Sequence, residues 1–579
     1  MIQPRVGPLV RAVSPHSAII WTEWTYPCDV TLKATKACEH GNEQDASVLT
    51  ACMHTVAIGT RHYALLRLDG LYASTWYDYH VTCEPDAGEQ AEDSAASTLK
   101  QCFRTLDLPE MGNSLRLAYG SCRKPSAVEP DALNAFGPWL MQRFDERETA
   151  WPRLLLLIGD QIYADDRIGR HKGRASLTQN ASPATPQRAG ARTFAEFAAL
   201  YEQAWAGDSG IRQVLATIPT FMIFDDHEIT NSWNTSPDWR ARALKHGLEQ
   251  MLVDGLVAYW VYQGWGNPGA QSEGNIDLAA IMQEAAQSGE NALEHLRACM
   301  RQAVYEEIAP HWHYEILTMP PIFVMDVRAD RPAILRTTDD TCAPARIMSR
   351  AQMSELHAWV KSHDTSTVLL VSSVPVLLPP LIGLAEYIMG IRPLHNTPLR
   401  HLGQLLARVQ RRVTRRMSFD HWPVFAATWR ELVRFLAGRK HDVVVLSGDV
   451  HFSYATEAQR GIVRSQQKPT LYQLVASPFA NALHKRDQRL VRAQARIKRA
   501  IYGGLHIRMR RLAPTNAKAN VAHDLLIQNT VALVTLEPQS TGNNTGKYGI
   551  RQVYLGIVDG KLEEIACLYI DRNSPRVHS

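Results

Sequence analysis

The chain has little excess charge of either sign: 62 Lys and Arg against 58 Asp and Glu leave a net +4 over 579 residues. So even a balance gives no charge argument for a nucleic-acid partner, none is expected, and any basic surface must be local. Cysteine is sparse and unpatterned. The nine cysteines include no CxxC and no zinc-finger spacing, which argues for reduced thiols over a disulfide framework. The opening MIQPRVGPLVRAV lacks a basic region followed by an apolar segment and has no twin-arginine pair. No export signal is read there, and a cytoplasmic location is expected. Uninterrupted apolar runs of membrane length are missing too. Residues 365–385 carry no charge, but Pro375, Pro379 and Pro380 interrupt them, so a buried strand running into an apolar loop is expected instead of a span.

The length exceeds the roughly 100–250 residues usual for one domain, so two are expected. Residues 1–110 read as short strands with period-2 alternation, as in SAIIWTEW and WYDYHVTCE, separated by turn residues. Leu66-x-Leu68, Gly70-Leu71 and Tyr77-x-Tyr79 resemble a fibronectin type III module, which implies an immunoglobulin-like β-sandwich. Residues 111–579 alternate apolar strands with amphipathic stretches such as TFAEFAALYEQAWAG, the pattern of an α/β domain, with helical insertions at about 240–310 and 380–420. The C-terminal TVALVTL and RQVYLGIVDG, with no helix between them, suggest an antiparallel edge and a second mixed sheet. Between Asp165 and Arg192 the composition turns to Gly, Ser, Thr, Gln and Arg, so a surface loop that covers the site is expected.

The chemistry is concentrated at strand ends. LLLLIGDQIYADD, residues 154–166, is an apolar run buried on both faces that stops at Gly159-Asp160, where an open α/β sheet places its site. LRLAYGSC ends at Cys122, PTFMIFDDHE at Asp225, Asp226 and His227, and DVVVLSGDVH at Asp449 and His451. Four buried strands that each deliver a Cys, Asp, Tyr or His at their exit point to one metal site. Asp449 and His451, two apart, would project the same way from an extended segment. A thiolate from Cys122, a phenolate from Tyr163 and two carboxylates would put about four negative charges around one cation, favouring a trivalent ion. A second, harder site of carboxylates and amide oxygens suits calcium, magnesium or manganese. Two cations sharing a carboxylate, for which Asp160 is the candidate, are what metal-dependent phosphoester hydrolysis requires.

The order S-C, G-D-x-I-Y, D-D-H-E, G-D-V-H resembles the alkaline phosphatase D (PhoD-like) family of the metallophosphoesterase superfamily. The resemblance implies a four-layer α/β/β/α sandwich behind an immunoglobulin-like module. It implies ferric iron (Fe3+) held by Cys122, Asp160 and Tyr163, and calcium (Ca2+) sharing Asp160, with Mn2+, Mg2+ or Zn2+ as alternatives in the second site. Asp226, Asp449 and His451 are further candidate ligands, and Asn231 falls where the family has a calcium-binding Asn. Arg328 in MDVRADR matches an arginine whose fork would hold phosphate, with pairing to Asp326 as its structural alternative. Asp420 and Trp422 match a D-x-W block near the site.

The function expected from these readings is hydrolysis of phosphoric esters by in-line attack of a metal-bound hydroxide, with His227 stabilising or protonating the leaving alkoxide. The substrate is a small-molecule or lipid phosphoester; a phospholipid- or nucleotide-directed phosphodiesterase is the alternative. A reading of another class is a non-catalytic, metal-containing module on a membrane surface. Residues 383–416, a basic amphipathic stretch beside the apolar loop, would supply its peripheral contact.

Overall fold

A computed structural model describes residues 2–37, 47–87, 99–125, 129–165, 190–231, 233–234, 239–268, 276–305, 310–332, 346–391, 400–417, 419–460, 469–539 and 546–570. The expected surface loop after Asp165 falls mainly on residues 166–189, outside the described residues.

The first hundred residues form two four-stranded antiparallel sheets. Val6–Val13, Ser17–Trp24, Arg61–Asp69 and Val56–Ile58 make one, and Leu49–His54, Cys28–Lys36, Trp76–Pro85 and Cys102–Arg104 the other. Alternation decides what each strand buries: Val30, Leu32 and Ala34 point inward while Asp29 and Lys33 are exposed. These residues meet Ile20, Leu66 and Leu68 of the facing sheet in a shared core. The outer face of the first sheet is apolar as well, and it is covered by the second domain. Trp21 donates to the carbonyl of Val261 at 3.0 Å, and the buried guanidinium of Arg11 donates to the carbonyls of Thr220, Tyr262 and Gln263.

Beyond residue 114 two large sheets stack face to face. In the first, Leu115–Gly120, Leu154–Ile158 and Thr220–Ile223 run parallel, and Thr530–Pro538, Tyr548–Val558 and Lys561–Ile570 continue it antiparallel. The C-terminal strands therefore extend the sheet of the Asp160 strand and do not build one of their own. Hairpin-linked strands need no crossover helix, and the free edge of Leu115–Gly120 accepts them. In the second sheet Ile322–Met325, Val368–Ser372, Val443–Ser447 and Leu471–Val475 are parallel neighbours.

Leu117, Leu156 and Phe221 of one sheet pack against Val324, Leu369 and Val444 of the other. Helices Ala132–Met141, Phe194–Ala206 and Glu249–Tyr259 cover the first outer face, and Arg350–Ser362 with Ala426–Leu436 the second. This is the expected α/β/β/α layering. Strands buried on both faces must be apolar throughout, which is why Leu154–Ile158 has no polar position.

The apolar loop after Val368–Ser372 reaches only to Pro379, short of the expected residue 385, and helix Pro380–Gly390 falls in the expected helical insertion, because a proline at the first helical position loses no hydrogen bond and presets φ. In the other insertion a helix from Trp239 breaks after Lys245, where Gly247 takes a φ of +71°, and a second runs over Glu249–Tyr259.

Candidate metal centre

All three parallel strands of the first sheet, with Ile322–Met325 and Val443–Ser447 of the second, release their chains at the same end of the sandwich. The residues that follow turn back sharply. Cys122, Asp160, Asp449 and His451 take left-handed φ values of 57°, 54°, 68° and 59°. That region is uncommon for residues with a Cβ, and a cost of roughly 1–3 kcal/mol at each persists only where the surroundings over-determine it. The surroundings here do. The Oγ of Ser121 accepts from the Asp449 N–H at 2.9 Å, the Oγ of Ser477 from the His451 N–H at 3.2 Å, and the Asp160 carbonyl from the Arg123 N–H at 2.9 Å.

The glycines of the two G-D motifs serve close approach. A Cβ on Gly159, itself at φ +84°, would lie 2.3 Å from the Cβ of Asp225, and one on Gly448 2.1 Å from the Oγ of Ser121. Asp449 and His451 are thus delivered by a left-handed turn and not by the extended segment expected from their spacing, because the chain has already left its strand at Ser447.

Glu228 fastens the turns together. Its buried carboxylate accepts from the backbone N–H of Asp160 at 3.1 Å, Gln161 at 2.8 Å and Asp225 at 2.9 Å, and from Nε2 of Gln263 at 3.0 Å. Around this clamp the donors converge. Cys122 Sγ and Tyr163 Oη each lie 3.4 Å from Oδ2 of Asp160, and Tyr163 Oη lies 3.5 Å from Nε2 of His451. Oδ1 of Asp160 accepts from the His227 N–H at 3.2 Å.

Ligand atoms of Cys122, Asp160 and His451 fall within 4.8 Å of one another, as do those of Asp160, Asp225, Asp226 and Asp449, and of Asp160, Asp226 and His227. Asp160 belongs to all three of these groups, and Asp420, His421 and Asp449 form a fourth without it. Burial and the neighbouring carboxylates push Asp160 and Asp225 well above the usual carboxylate range, against the pull of His227 and Arg328. Burial likewise pushes the Cys122 thiol and the Tyr163 phenol up, and lowers His451 to about 4. Oδ2 of Asp225 is buried and finds no hydrogen-bond partner among the described residues. Four clustered carboxylates around one arginine, with an orphaned oxygen among them, fit cations: buried charge of one sign is otherwise costly.

Arg328 is that arginine. Its fork, expected to hold phosphate, is spent on carboxylates: Nε donates to Asp225, Nη1 to Asp420 and Nη2 to Asp449 at 3.3 Å. Asp326 instead accepts from the backbone N–H of Arg328 and Ala329. Asn231 is exposed at the rim, its N–H bonded to Asp165. Trp422 is buried and donates to Ser372.

Sequence reasoning missed several members. Asp165 holds Nδ1 of His227 at 2.8 Å, and although burial pulls that imidazole down, Asp165, Asp160 and Asp226 hold it well above its ordinary value. Tyr163 lies against its ring at 4.3 Å. His421 links Asp449, 2.9 Å from Nε2, to buried Glu386, 2.6 Å from Nδ1. Asp225 and Asp165 sat inside motifs already singled out, and His421 inside the D-x-W block; no spacing marked the partners each would find. A cavity of about 890 Å³ lies elsewhere, between the N-terminal sandwich and helix Ile276–Ser288, and none of the expected site residues lines it.

Comparison with known proteins bears on this arrangement. The chain matches the family model for PhoD-like phosphatase over residues 139–507 and that for a domain of unknown function (DUF7800) over residues 1–101. The first span takes in Asp160, Tyr163, Asp226, Arg328, Asp449 and His451, and Cys122 lies upstream of it. Among solved structures, one described as "Structure of PhoD" aligns with a TM-score of 0.57 over 100% of this chain and 92% of that chain at 12% identity, a likeness of fold. No curated protein matches. Family and fold point to a metal-dependent phosphoesterase, and with the family model covering most of its length the chain belongs to the PhoD-like phosphatase family.

Proposed function

We propose that the chain hydrolyses phosphoric esters at a two-cation centre built around Asp160. The observation that supports this most is that Asp160 is common to a Cys–His group and to a carboxylate group, the arrangement a bridging ligand needs. Cys122, Tyr163, Asp160 and His451 would hold one ion, ferric iron by family likeness; Asp160, Asp225, Asp226 and Asp449 would hold a harder one such as calcium. Bound there, the cations would neutralise phosphoryl oxygens and make water a nucleophile at neutral pH.

The chain's own groups supply the rest. Asp165 accepts from Nδ1 of His227, which fixes the ring and leaves Nε2 to carry a proton. Asp165, which is not among the proposed ligands, favours the imidazolium, so this Nε2 is suited to protonate a departing alkoxide oxygen. Arg328 neutralises and spaces Asp225, Asp420 and Asp449. A non-catalytic metal-binding module is disfavoured, since every ligand-bearing strand exit retains its donor.

The reading is tested by hydrolysis of a chromogenic phosphate monoester beside the matching diester, on protein stripped of metal and then resupplied with iron and calcium. Turnover is expected only after resupply, and the monoester-to-diester ratio separates phosphatase from phosphodiesterase. Silence on both esters from protein shown to carry metal would overturn the proposal. Iron held by a phenolate and a thiolate should also colour the protein. Tyr163→Phe is expected to shift or bleach that band in the absorption spectrum, and an unchanged band would remove Tyr163 from the ligand set.

A further inference from the structure

Helix Arg400–Met417 turns its apolar side outward. Gly403 and Ala407 are buried and Gln410 and Thr414 half-buried, so a stripe of small and polar residues faces the protein. The adjoining stripe of Leu405, Leu406, Val409 and Val413 is between 38% and 55% exposed. A surface helix ordinarily does the reverse, burying its large apolar side chains. The helix sequence carries six arginines, of which Arg408 is exposed, and no Asp or Glu occurs from residue 387 to 419.

The neighbourhood continues the pattern. Helix Pro380–Gly390 touches both this helix and strand Arg499–Tyr502, and Ile388 and Ile501 on those elements are 46% and 65% exposed. No described helix is long and apolar enough to cross a membrane.

We propose that helix Arg400–Met417 docks on an anionic bilayer surface, its apolar stripe entering the headgroup region and its arginines meeting lipid phosphates. Charge selects this occupant. A second copy of the chain would bring the same arginines face to face, whereas an anionic membrane complements them and takes up the apolar stripe. The docked surface adjoins the metal centre, because Glu386 of helix Pro380–Gly390 is joined through His421 to Asp449.

The test is co-sedimentation of the full-length protein with phosphatidylcholine vesicles, with and without phosphatidylserine, at low and high salt. Binding is expected only with phosphatidylserine and at low salt. Leu405→Ser with Val409→Ser is expected to abolish it, and Arg408→Gln with Arg412→Gln to weaken it roughly thirtyfold. Both variants are to keep wild-type hydrolysis of a soluble ester and an unchanged melting midpoint, since these positions lie outside the metal centre. The proposal is overturned if wild-type protein ignores phosphatidylserine vesicles at low salt, or if both variants bind as well as wild type. It is overturned equally if the wild-type chain is a dimer in solution that Leu405→Ser with Val409→Ser dissociates, which would assign the stripe to a second copy.

Discussion

Asp160→Asn is expected to lower kcat/KM by about three orders of magnitude or more, roughly 4 kcal/mol of transition-state stabilisation, with the fold intact. Asparagine is nearly isosteric, and of the residues with a side chain it is among those that best tolerate a left-handed φ such as the 54° at this position. What it removes is charge, at the one carboxylate shared by three of the four groups of candidate ligands. Metal-stripped variant and wild-type protein therefore diverge in opposite directions. Without cations, losing one of the clustered carboxylates relieves repulsion among Asp160, Asp225, Asp226 and Asp449, so the melting midpoint stays level or rises. With cations supplied, the wild type gains stability and the variant gains less. Steady-state kinetics, metal content and thermal melts on the same preparations read all three effects. Full activity in a preparation free of wild-type enzyme would remove Asp160 from the centre of the mechanism.

Glu228→Ala is expected to cause a large loss of stability, roughly 4–6 kcal/mol. The carboxylate accepts from three main-chain N–H groups and one side-chain amide, all buried, and removing it strands those donors at about 1–3 kcal/mol each before relaxation. Glu228→Gln is expected to recover only part of the loss, because the amide NH2 then faces donors where the carboxylate had offered an acceptor. Glu228 also fixes the turn bearing Asp160 against the turn bearing Asp225, so metal affinity falls with stability even though Glu228 is not among the proposed ligands. Gln263→Ala, which removes only the side-chain donor, serves as the milder control. Denaturant unfolding followed by far-UV circular dichroism measures the series. If Glu228→Ala unfolds at the wild-type denaturant concentration, the clamp contributes nothing and the turns are held by other contacts.

The second prediction rests on the DDHE segment, and the segment illustrates how unevenly a site is written into a chain. Asp226 and His227 were legible because they follow an apolar strand directly, and so was the Asp160–Tyr163 pair. The role of Glu228 in the same four residues was not, because its partners at Asp160, Gln161 and Gln263 lie on other segments. Arg328 shows the same limit. Its position after a buried strand marked it as a site residue, but whether its fork meets phosphate or carboxylate depends on where Asp225, Asp420 and Asp449 are brought, and they come from three separate elements.

The sequence alone determined the layers and the exits. Apolar runs of four or five residues that stop at turn residues are too short for a buried helix and fit strands buried on both faces, and each exit residue is a near neighbour in the chain of the strand that delivers it, so local pattern suffices. Tertiary structure decided everything that depends on distance between segments: the left-handed turns forced by Ser121, Ser477 and the close glycines, the Asp165–His227 and Glu386–His421–Asp449 links, the antiparallel C-terminal half of the first sheet, and the outward face of helix Arg400–Met417. The physical reason is the same throughout. Periodicity records which residues a strand or helix groups on one face, whereas the direction that face points, and the charge it meets there, are set by partners far away in the chain.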